Sequence, residues 1–325
     1  MAGSTMTEEL PICSLSVDLD NQWSYMKTHG DAGWEGFPSY LDLVVPRILD
    51  TLQRFGWRIT FFIVGQDAAL EKNREALQAI AAAGHEIGNH SFNHEPWLHL
   101  YTRQQTVDEI ARAEDAIESA TGIRPRGFRG PGYSLSRTTI EVLEERGYLY
   151  DASTLPTYLG PLARAYFFHA SQHLSEEERQ KRSALFGSFR EGLLPLKPYL
   201  WNVGDRQLLE IPVTTMPILK LPFHFSYLHY IATYSPILAR LYFRTALTLC
   251  RLMRIEPSLL LHPLDFLGGD DVPQLVFFPA MKLQARLKTD RLQRMLRLLG
   301  QRHHVAPMSV QAERFLSSLI LPDSK

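Results

Sequence analysis

The sequence predicts an α/β fold with a parallel sheet of seven or eight strands, and three observations support this prediction. Short apolar segments rich in β-branched residues alternate with amphipathic segments along most of the 325 residues, as in successive βα units. Hydrophobic residues make up 45% of the chain, enough to fill a sizeable core. Candidate catalytic side chains follow directly after several predicted strands. Periodicity alone does not distinguish a closed barrel from an open doubly wound sheet.

Strands and helices alternate regularly over the first half of the chain. Apolar residues recur at helical spacing, as at Val44, Ile48 and Leu52. Thr102 with Gln105 forms a capping box that begins a long helix. The predicted strands are 14–19, 59–64, 85–89 and short segments around Phe128 and Tyr150. The predicted helices are 42–55, 70–83, 102–121 and 139–146.

The regular alternation stops at residue 154 and resumes at residue 208. Residues 154–207 are rich in aromatic residues, proline and charge, so we interpret them as an insertion. Strands are predicted at 208–215, 258–262 and 304–308, and helices at 237–253 and 282–299. We expect a single domain over residues 1–325.

Composition excludes several classes of protein. Lys and Arg total 34 against 35 Asp and Glu, so a formal charge of −1 argues against a nucleic-acid partner. Two cysteines, Cys13 and Cys250, are too few for a disulfide framework. The first ten residues lack the basic start and apolar run of a secretory signal, which predicts a cytoplasmic protein. The most apolar segment, 223–249, is interrupted by histidine, proline and arginine, so no membrane span is expected.

Two motifs at predicted strand ends indicate a metal site. Asp18 and Asp20 end the first strand, where side chains two positions apart project to the same side. His90 and His94 follow the third strand four positions apart, and a helical turn would bring both imidazoles to one point. Two imidazoles and one carboxylate with open positions suit a catalytic zinc or a similar divalent ion.

The motifs together resemble the polysaccharide deacetylases, carbohydrate esterase family four. SVDLDN, HSFNH, FRGPGY and LLLH occur in the order and approximate spacing of that family, and AGHEIGNHSFNH is especially close. The resemblance covers residues 12–152 well and 208–316 loosely. It implies a distorted (β/α) barrel, a divalent metal held by one Asp and two His, and removal of an N-acetyl group from an amino sugar.

Carried over residue by residue, the resemblance makes His90 and His94 metal ligands. Family members have adjacent aspartates, a base followed by a ligand, whereas Leu19 separates them here. We assign Asp18 as the general base and Asp20 as the ligand, and the changed spacing leaves an exchange of these roles open.

Further site residues follow from the later motifs. Arg129 would orient Asp18 and keep it ionised, and His262 would be the general acid, which Asp151 would help to orient. The motif continues with Gly132, whose backbone N–H could bind an oxyanion, and Tyr133, which would line the pocket. Trp23, in the loop after the first strand, could stack on a sugar ring or pack under the loop.

A second signal lies at residues 211–255, which contain no Asp or Glu. This segment holds several tyrosines and five basic residues: Lys220, Arg240, Arg244, Arg251 and Arg254. Such a composition predicts a basic, apolar surface that could meet an anionic membrane at its inner face. A buried barrel helix with solvated arginine tips explains the composition equally well.

We therefore expect a zinc-dependent hydrolase that removes a formyl or acetyl group from an amino sugar in a lipid-linked glycan. The pattern is nearest to the branch acting on lipid-linked or surface-glycan sugars, which includes deformylases. A hydrolase of a small cyclic amide, as in allantoinase-like relatives, is the alternative within enzymes. A catalytically silent barrel that binds glycan or membrane partners is the alternative from another class.

Overall fold

The computed structural model describes residues 10–159 and 189–320, which form a nine-stranded sheet, a two-stranded sheet and the helices around them. The strands are β1 (Ile12–Asp18), β2 (Thr60–Ile63), β3 (Glu86–Asn89), β4 (Gly127–Phe128), β5 (Tyr150–Asp151), β6 (Tyr199–Val203), β7 (Arg206–Glu210), β8 (Thr215–Met216), β9 (Leu221–Pro222), β10 (Ser258–Leu261) and β11 (His304–Ala306). The helices are α1 (Gln22–His29), α2 (Leu41–Phe55), α3 (Gly65–Ala68), α4 (Arg74–Ala82), α5 (Arg103–Thr121), α6 (Arg137–Glu145), α7 (Phe225–Tyr234), α8 (Pro236–Leu252), α9 (Ala285–Gly300) and α10 (Met308–Ile320).

The large sheet confirms the predicted α/β fold and its parallel strands. Its strands follow the order β10, β1, β2, β3, β4, β5, β7 and β6, and β11 also pairs with β1. Every pairing in this sheet is parallel except that of β6 with β7. The carboxyl ends of the parallel strands therefore lie at one rim, where ligands bind in such sheets.

The barrel closes through irregular backbone after β7. The Ile211 N–H donates to the Asp151 carbonyl at 2.9 Å, and the Thr214 N–H donates to the Ser258 carbonyl at 2.9 Å. Pro212 lies between these points and has no N–H to donate to a ladder. Residues 211–214 thus link β5 to β10 by single hydrogen bonds, which gives the expected distorted (β/α) barrel.

The layer between the strands and the helices around them is apolar and closely covered. All seven residues of β1 and all four of β2 are buried. On α2, the predicted stripe of Val44, Ile48 and Leu52 is fully buried. This packing fixes the ends of β1 and β2, so the side chains that follow them are held on a rigid base.

The structure differs from the sequence-based expectation mainly in the second half. The proposed insertion at 154–207 ends in β6, a hairpin partner of β7, while its residues 160–188 lie outside the described residues. The strand predicted over 208–215 is divided between β7 and β8. Helix α7 is not among the predicted helices. Apolar and aromatic residues occupy most of its positions, so no helical spacing of apolar residues is visible in its sequence. Among the described residues, no helix is long and apolar enough to span a bilayer.

Candidate active site

Asp20, His90 and His94 converge at the carboxyl ends of β1 and β3. One ligand-type atom from each lies within 4.8 Å of the other two. His94 Nε2 is 2.9 Å and His90 Nε2 is 3.2 Å from the same oxygen, Asp20 Oδ1. Burial alone would raise the pKa of Asp20, but the two imidazoles hold it well below its usual range. The three side chains form a compact donor set of two nitrogens and one oxygen.

An irregular loop, and not a helical turn, brings His90 and His94 together. Ser91 and His94 adopt left-handed backbone conformations, with φ of +63° and +52°. Glu109 on α5 holds the loop, because its Oε1 accepts hydrogen bonds from two backbone N–H groups of the loop at 3.0 and 2.6 Å. The two imidazoles converge as expected, but the prediction that a helical turn brings them together is wrong.

The two imidazoles are held in different ways. His90 Nδ1 donates to the Arg129 carbonyl at 2.6 Å, which leaves Nε2 facing Asp20. Such a bond to the second ring nitrogen fixes the tautomer of a metal-ligating histidine. His94 Nδ1 is buried and has no hydrogen-bond partner among residues 10–159 and 189–320. The ring of Trp23 contacts His94 edge to face, with centroids 6.4 Å apart.

Asp18 lies beside the donor set and is bound by a buried arginine. Arg129 Nη1 donates to Asp18 Oδ1 at 2.6 Å and to Ser16 Oγ at 2.7 Å. Its Nε donates to the Ala152 carbonyl at 3.0 Å, and its guanidinium carbon lies 4.4 Å from the centroid of the Phe62 ring. Arg129 is 0% exposed, so these contacts hold both the cation and the Asp18 carboxylate in one orientation.

His262 follows β10 and is oriented by residues that the motifs do not indicate. Its Nδ1 lies 3.1 Å from Ser226 Oγ, and Ser226 Oγ donates to Asp265 Oδ1 at 3.0 Å. Asp265 Oδ2 also accepts from the His262 backbone N–H at 2.8 Å. Ser226 lies in the first turn of α7 and Asp265 ends the short turn after β10, so tertiary packing assembles this chain of contacts.

Asp151, which the family resemblance assigns to orient His262, makes different contacts. It accepts a hydrogen bond from Ser153 Oγ at 2.6 Å and lies against Glu210 on the neighbouring strand. Burial and the charge of Glu210 raise its pKa well above the usual range. No described hydrogen bond joins Asp151 to His262. Ser226 and Asp265 orient His262 instead.

We expect Asp265→Asn to lower kcat by about 10- to 100-fold, the range for groups that orient a functional imidazole. KM and metal content should stay unchanged, because Asp265 acts through His262 and lies outside the donor set. Steady-state kinetics with elemental analysis measures both effects. Asp205→Asn, an exposed carboxylate on the β6–β7 turn, is the matched control. Equal kcat values for the two variants would contradict this orienting role.

Gly132 and Tyr133 lie in the turn that follows Arg129. Both adopt left-handed backbone conformations, with φ of +58° and +62°. Among the described residues outside this turn, none accepts a hydrogen bond from the Gly132 N–H. Burial and the charge of Asp18 raise the pKa of Tyr133 well above its usual range. Tyr133 is thus near enough to Asp18 to feel its charge, which is compatible with the expected pocket wall.

Two further side chains lie near the charged residues at the strand ends: Tyr25 from the first half of the chain and His224 from the second half. The pKa of Tyr25 is raised well above its usual range by burial and by the charges of Asp20 and Asp265. The His224 ring lies 5.9 Å from the His262 ring between centroids. Burial and the neighbouring His262 hold the pKa of His224 well below its usual range.

Trp23 does not lie where it could stack on a substrate. It is 1% exposed, and its Nε1 donates to Asp67 Oδ1 at 3.0 Å. Asn21 and Asn73 donate to the same carboxylate oxygen at 2.7 and 3.2 Å. Of the two interpretations of Trp23, packing under the loop is therefore the one that the structure supports.

We expect Asp67 to make stability depend on pH, because burial raises its pKa to about 7. In the unfolded chain an aspartate has a pKa of about 3.9, so only the unfolded chain ionises between these values. Stability from this group is fully present below about pH 4 and is lost as the pH rises to about 7, by up to about 4 kcal/mol.

Asp67→Asn should remove this dependence. The difference in free energy of unfolding, variant minus parent, should therefore be larger at pH 8 than at pH 5. Denaturant unfolding at the two pH values measures the difference. An unchanged pH dependence in the variant would show that Asp67 ionises as readily in the folded chain as in the unfolded one.

Comparisons with known proteins agree with the fold and the motifs. A family model described as polysaccharide deacetylase matches residues 31–150. A peptidoglycan deacetylase of Helicobacter pylori is 27% identical over 157 residues, which are 46% of this chain and 51% of that protein. A peptidoglycan deacetylase-like protein of Gibberella zeae is 39% identical over 111 residues, 34% of this chain and 32% of that protein. The chain thus spans about a third to a half of the length of these relatives.

A solved structure shares the fold over nearly the whole chain. It is that of a Mycobacterium smegmatis protein provisionally assigned as a polysaccharide deacetylase, with a TM-score of 0.63 and 21% identity. The match covers 98% of this chain and 94% of that one. The resemblance that the motifs indicated is therefore confirmed: residues 31–150 match the polysaccharide deacetylase model, and the fold is shared over nearly the whole chain.

Proposed function

We propose that this protein is a metal-dependent amide hydrolase that removes an N-acetyl or N-formyl group from an amino sugar. One observation carries the proposal. Asp20, His90 and His94 offer three ligand atoms within 4.8 Å of one another, next to a carboxylate that a buried arginine orients. This convergence also argues against a catalytically silent barrel.

The donor set fits a divalent ion. Two imidazole nitrogens and one carboxylate oxygen, with space left for water and substrate, suit zinc and similar metals. The hydrogen bond from His90 to the Arg129 carbonyl is the support that such a ligand needs. When bound, a divalent ion would polarise the amide carbonyl and lower the pKa of water to about 7.

Asp18 and His262 would carry the two proton transfers. Arg129 directs one Asp18 oxygen away from solvent, and we assign Asp18 as the base that takes a proton from the attacking water. His262, held by Ser226 and Asp265, would give a proton to the departing nitrogen, because an amine leaves poorly as an anion.

Two groups near Arg129 would complete the pocket. The Gly132 N–H, which is not bonded to the described residues outside its turn, would donate to the oxygen that becomes negative during attack. A donor of this kind is worth about 3 kcal/mol in other hydrolases. Tyr133 would close the side of the pocket next to Asp18.

An amino sugar is proposed as substrate because the matched relatives are named as peptidoglycan deacetylases. A lipid-linked glycan is proposed because residues 211–255 contain no acidic residue and several exposed apolar ones. Peripheral attachment to a membrane belongs to the same proposal. Formyl and acetyl groups share the chemistry above, so the site favours neither.

Amine release from N-acetyl and N-formyl amino sugars, with O-acetyl sugars for comparison, tests the proposal. The metal-loaded protein should release amine from at least one N-acyl sugar at a rate that Asp18→Asn abolishes. Hydrolysis of O-acetyl sugars alone, or no hydrolysis at all, would overturn the assignment as an amide hydrolase.

A further inference from the structure

We infer that the turn between α7 and α8 is a docking surface for a bilayer that contains anionic lipid. We name this surface the α7–α8 corner. It consists of four apolar or aromatic residues and two basic ones: Tyr234, Ile237, Leu238, Leu241, Arg240 and Arg244.

The apolar part of the corner is unusually exposed. The exposed fractions are 75% for Tyr234, 82% for Ile237, 54% for Leu238 and 59% for Leu241. Ser235 caps α8, because its Oγ accepts from the Leu238 N–H at 3.2 Å. The cap makes the turn a defined structural feature, so these side chains are presented to solvent by folded backbone. Contiguous apolar exposure of this kind marks an interaction site.

Charge indicates that the partner is an anionic lipid surface. Arg240 and Arg244 are exposed on α8 within two turns of Ile237, and residues 211–255 contain no acidic residue. On α9, Arg291 donates to the Ala232 carbonyl at 2.9 Å and adds a cation beside α7. A second copy docked corner to corner through a twofold axis would oppose the same arginines, which disfavours that occupant.

The structure narrows the basic surface that the sequence predicted. Of its five basic residues, Lys220 donates to the Leu194 carbonyl at 2.7 Å and is held by the protein itself. Arg240 and Arg244 are exposed beside the apolar residues of the corner, and Arg251 and Arg254 are exposed at the opposite end of α8.

Helix α7 connects the corner to the candidate active site. Its first turn carries Ser226, which contacts His262, and Tyr227, whose ring lies 4.6 Å from the His224 ring between centroids. Tyr227 and Tyr234 are separated by about 10 Å along α7. A sugar held on a lipid at the docked surface would thus reach the site from this side; this step alone rests on the proposed function.

Co-sedimentation with phosphatidylcholine vesicles, with and without phosphatidylglycerol, tests the inference on the full chain. The parent should bind vesicles that contain phosphatidylglycerol. Arg240→Gln with Arg244→Gln should weaken binding about 25-fold at low salt, since each cation contributes about fivefold. Ile237→Ser with Leu241→Ser should weaken binding and make the remainder fully salt-sensitive, because only screened charge attraction is left.

Leu252→Ser is the matched control, since Leu252 is 74% exposed on the same helix about 22 Å from Ile237. It should bind as the parent does. Binding of the corner variants equal to that of the parent, or no binding of the parent to either vesicle, overturns the inference. A change in oligomeric state without vesicle binding would assign the corner to a second copy and overturn it equally.

Hydrolysis of a water-soluble N-acyl amino sugar separates this inference from the proposed function. The corner variants should retain parental rates, because none of these residues contacts the site. Vesicle binding without hydrolysis would overturn the amide-hydrolase assignment and leave the corner intact. Hydrolysis without vesicle binding would overturn the corner and the proposed membrane attachment and leave the amide-hydrolase assignment intact.

Discussion

His90→Ala and His94→Ala should each abolish bound metal and lower amide hydrolysis to the background rate. A site of three ligands that loses one retains too few donors to hold a divalent ion against water. The two variants should differ in stability. His94 lies in the loop and its Nδ1 has no described partner, whereas His90 donates to the Arg129 carbonyl. Loss of the His90 imidazole leaves the buried Arg129 carbonyl without a hydrogen bond, which should lower the stability of His90→Ala by about 1–3 kcal/mol.

Elemental analysis of the purified variants measures metal content, and thermal unfolding measures the difference in stability. His304→Ala is a suitable control because His304 is exposed on β11, away from the donor set. Full metal content in both His90→Ala and His94→Ala would disprove the metal site, whatever the activity.

Asp18→Asn and Asp20→Asn should separate catalysis from metal binding. Asp18 is bound by Arg129 and Asp20 by the two imidazoles. Asp18→Asn should therefore retain metal and lose about 10²- to 10⁴-fold in kcat, the contribution of a general base. Asp20→Asn should lose metal affinity first, and excess metal should restore part of its activity.

The reverse pattern would show that the roles are exchanged. In that case Asp18→Asn would lose the metal and Asp20→Asn would keep it while losing turnover. Equal metal loss in both variants would indicate that both carboxylates are ligands, and the base would then have to be sought elsewhere.

The donor set could be predicted from the sequence because each ligand follows a buried strand. Parallel strands place their carboxyl ends at one rim, so residues that follow β1 and β3 lie at the same edge of the sheet. The loop itself could not be predicted. Positive φ at Ser91 and His94 is stabilised by Glu109 on α5, and a contact so distant in sequence leaves no local pattern.

The hydrogen bonds that orient His262 could be predicted from the sequence only in part. Asp265 is three residues after His262 in a turn that starts with Pro263, and this spacing is a capping signal that could have indicated it. Ser226 precedes His262 by 36 residues and reaches it only through the packing of α7. Trp23 could not be placed from sequence either, because its burial depends on Asp67 accepting the indole N–H.

Metal dependence is tested most directly by amine release from an N-acyl amino sugar, measured with the same preparation before chelation, after chelation and after metal is restored. We expect hydrolysis by the loaded protein, none after chelation and recovery with about one divalent ion per chain. Hydrolysis that persists at the full rate after the metal is removed would show that this protein is not a metal-dependent hydrolase.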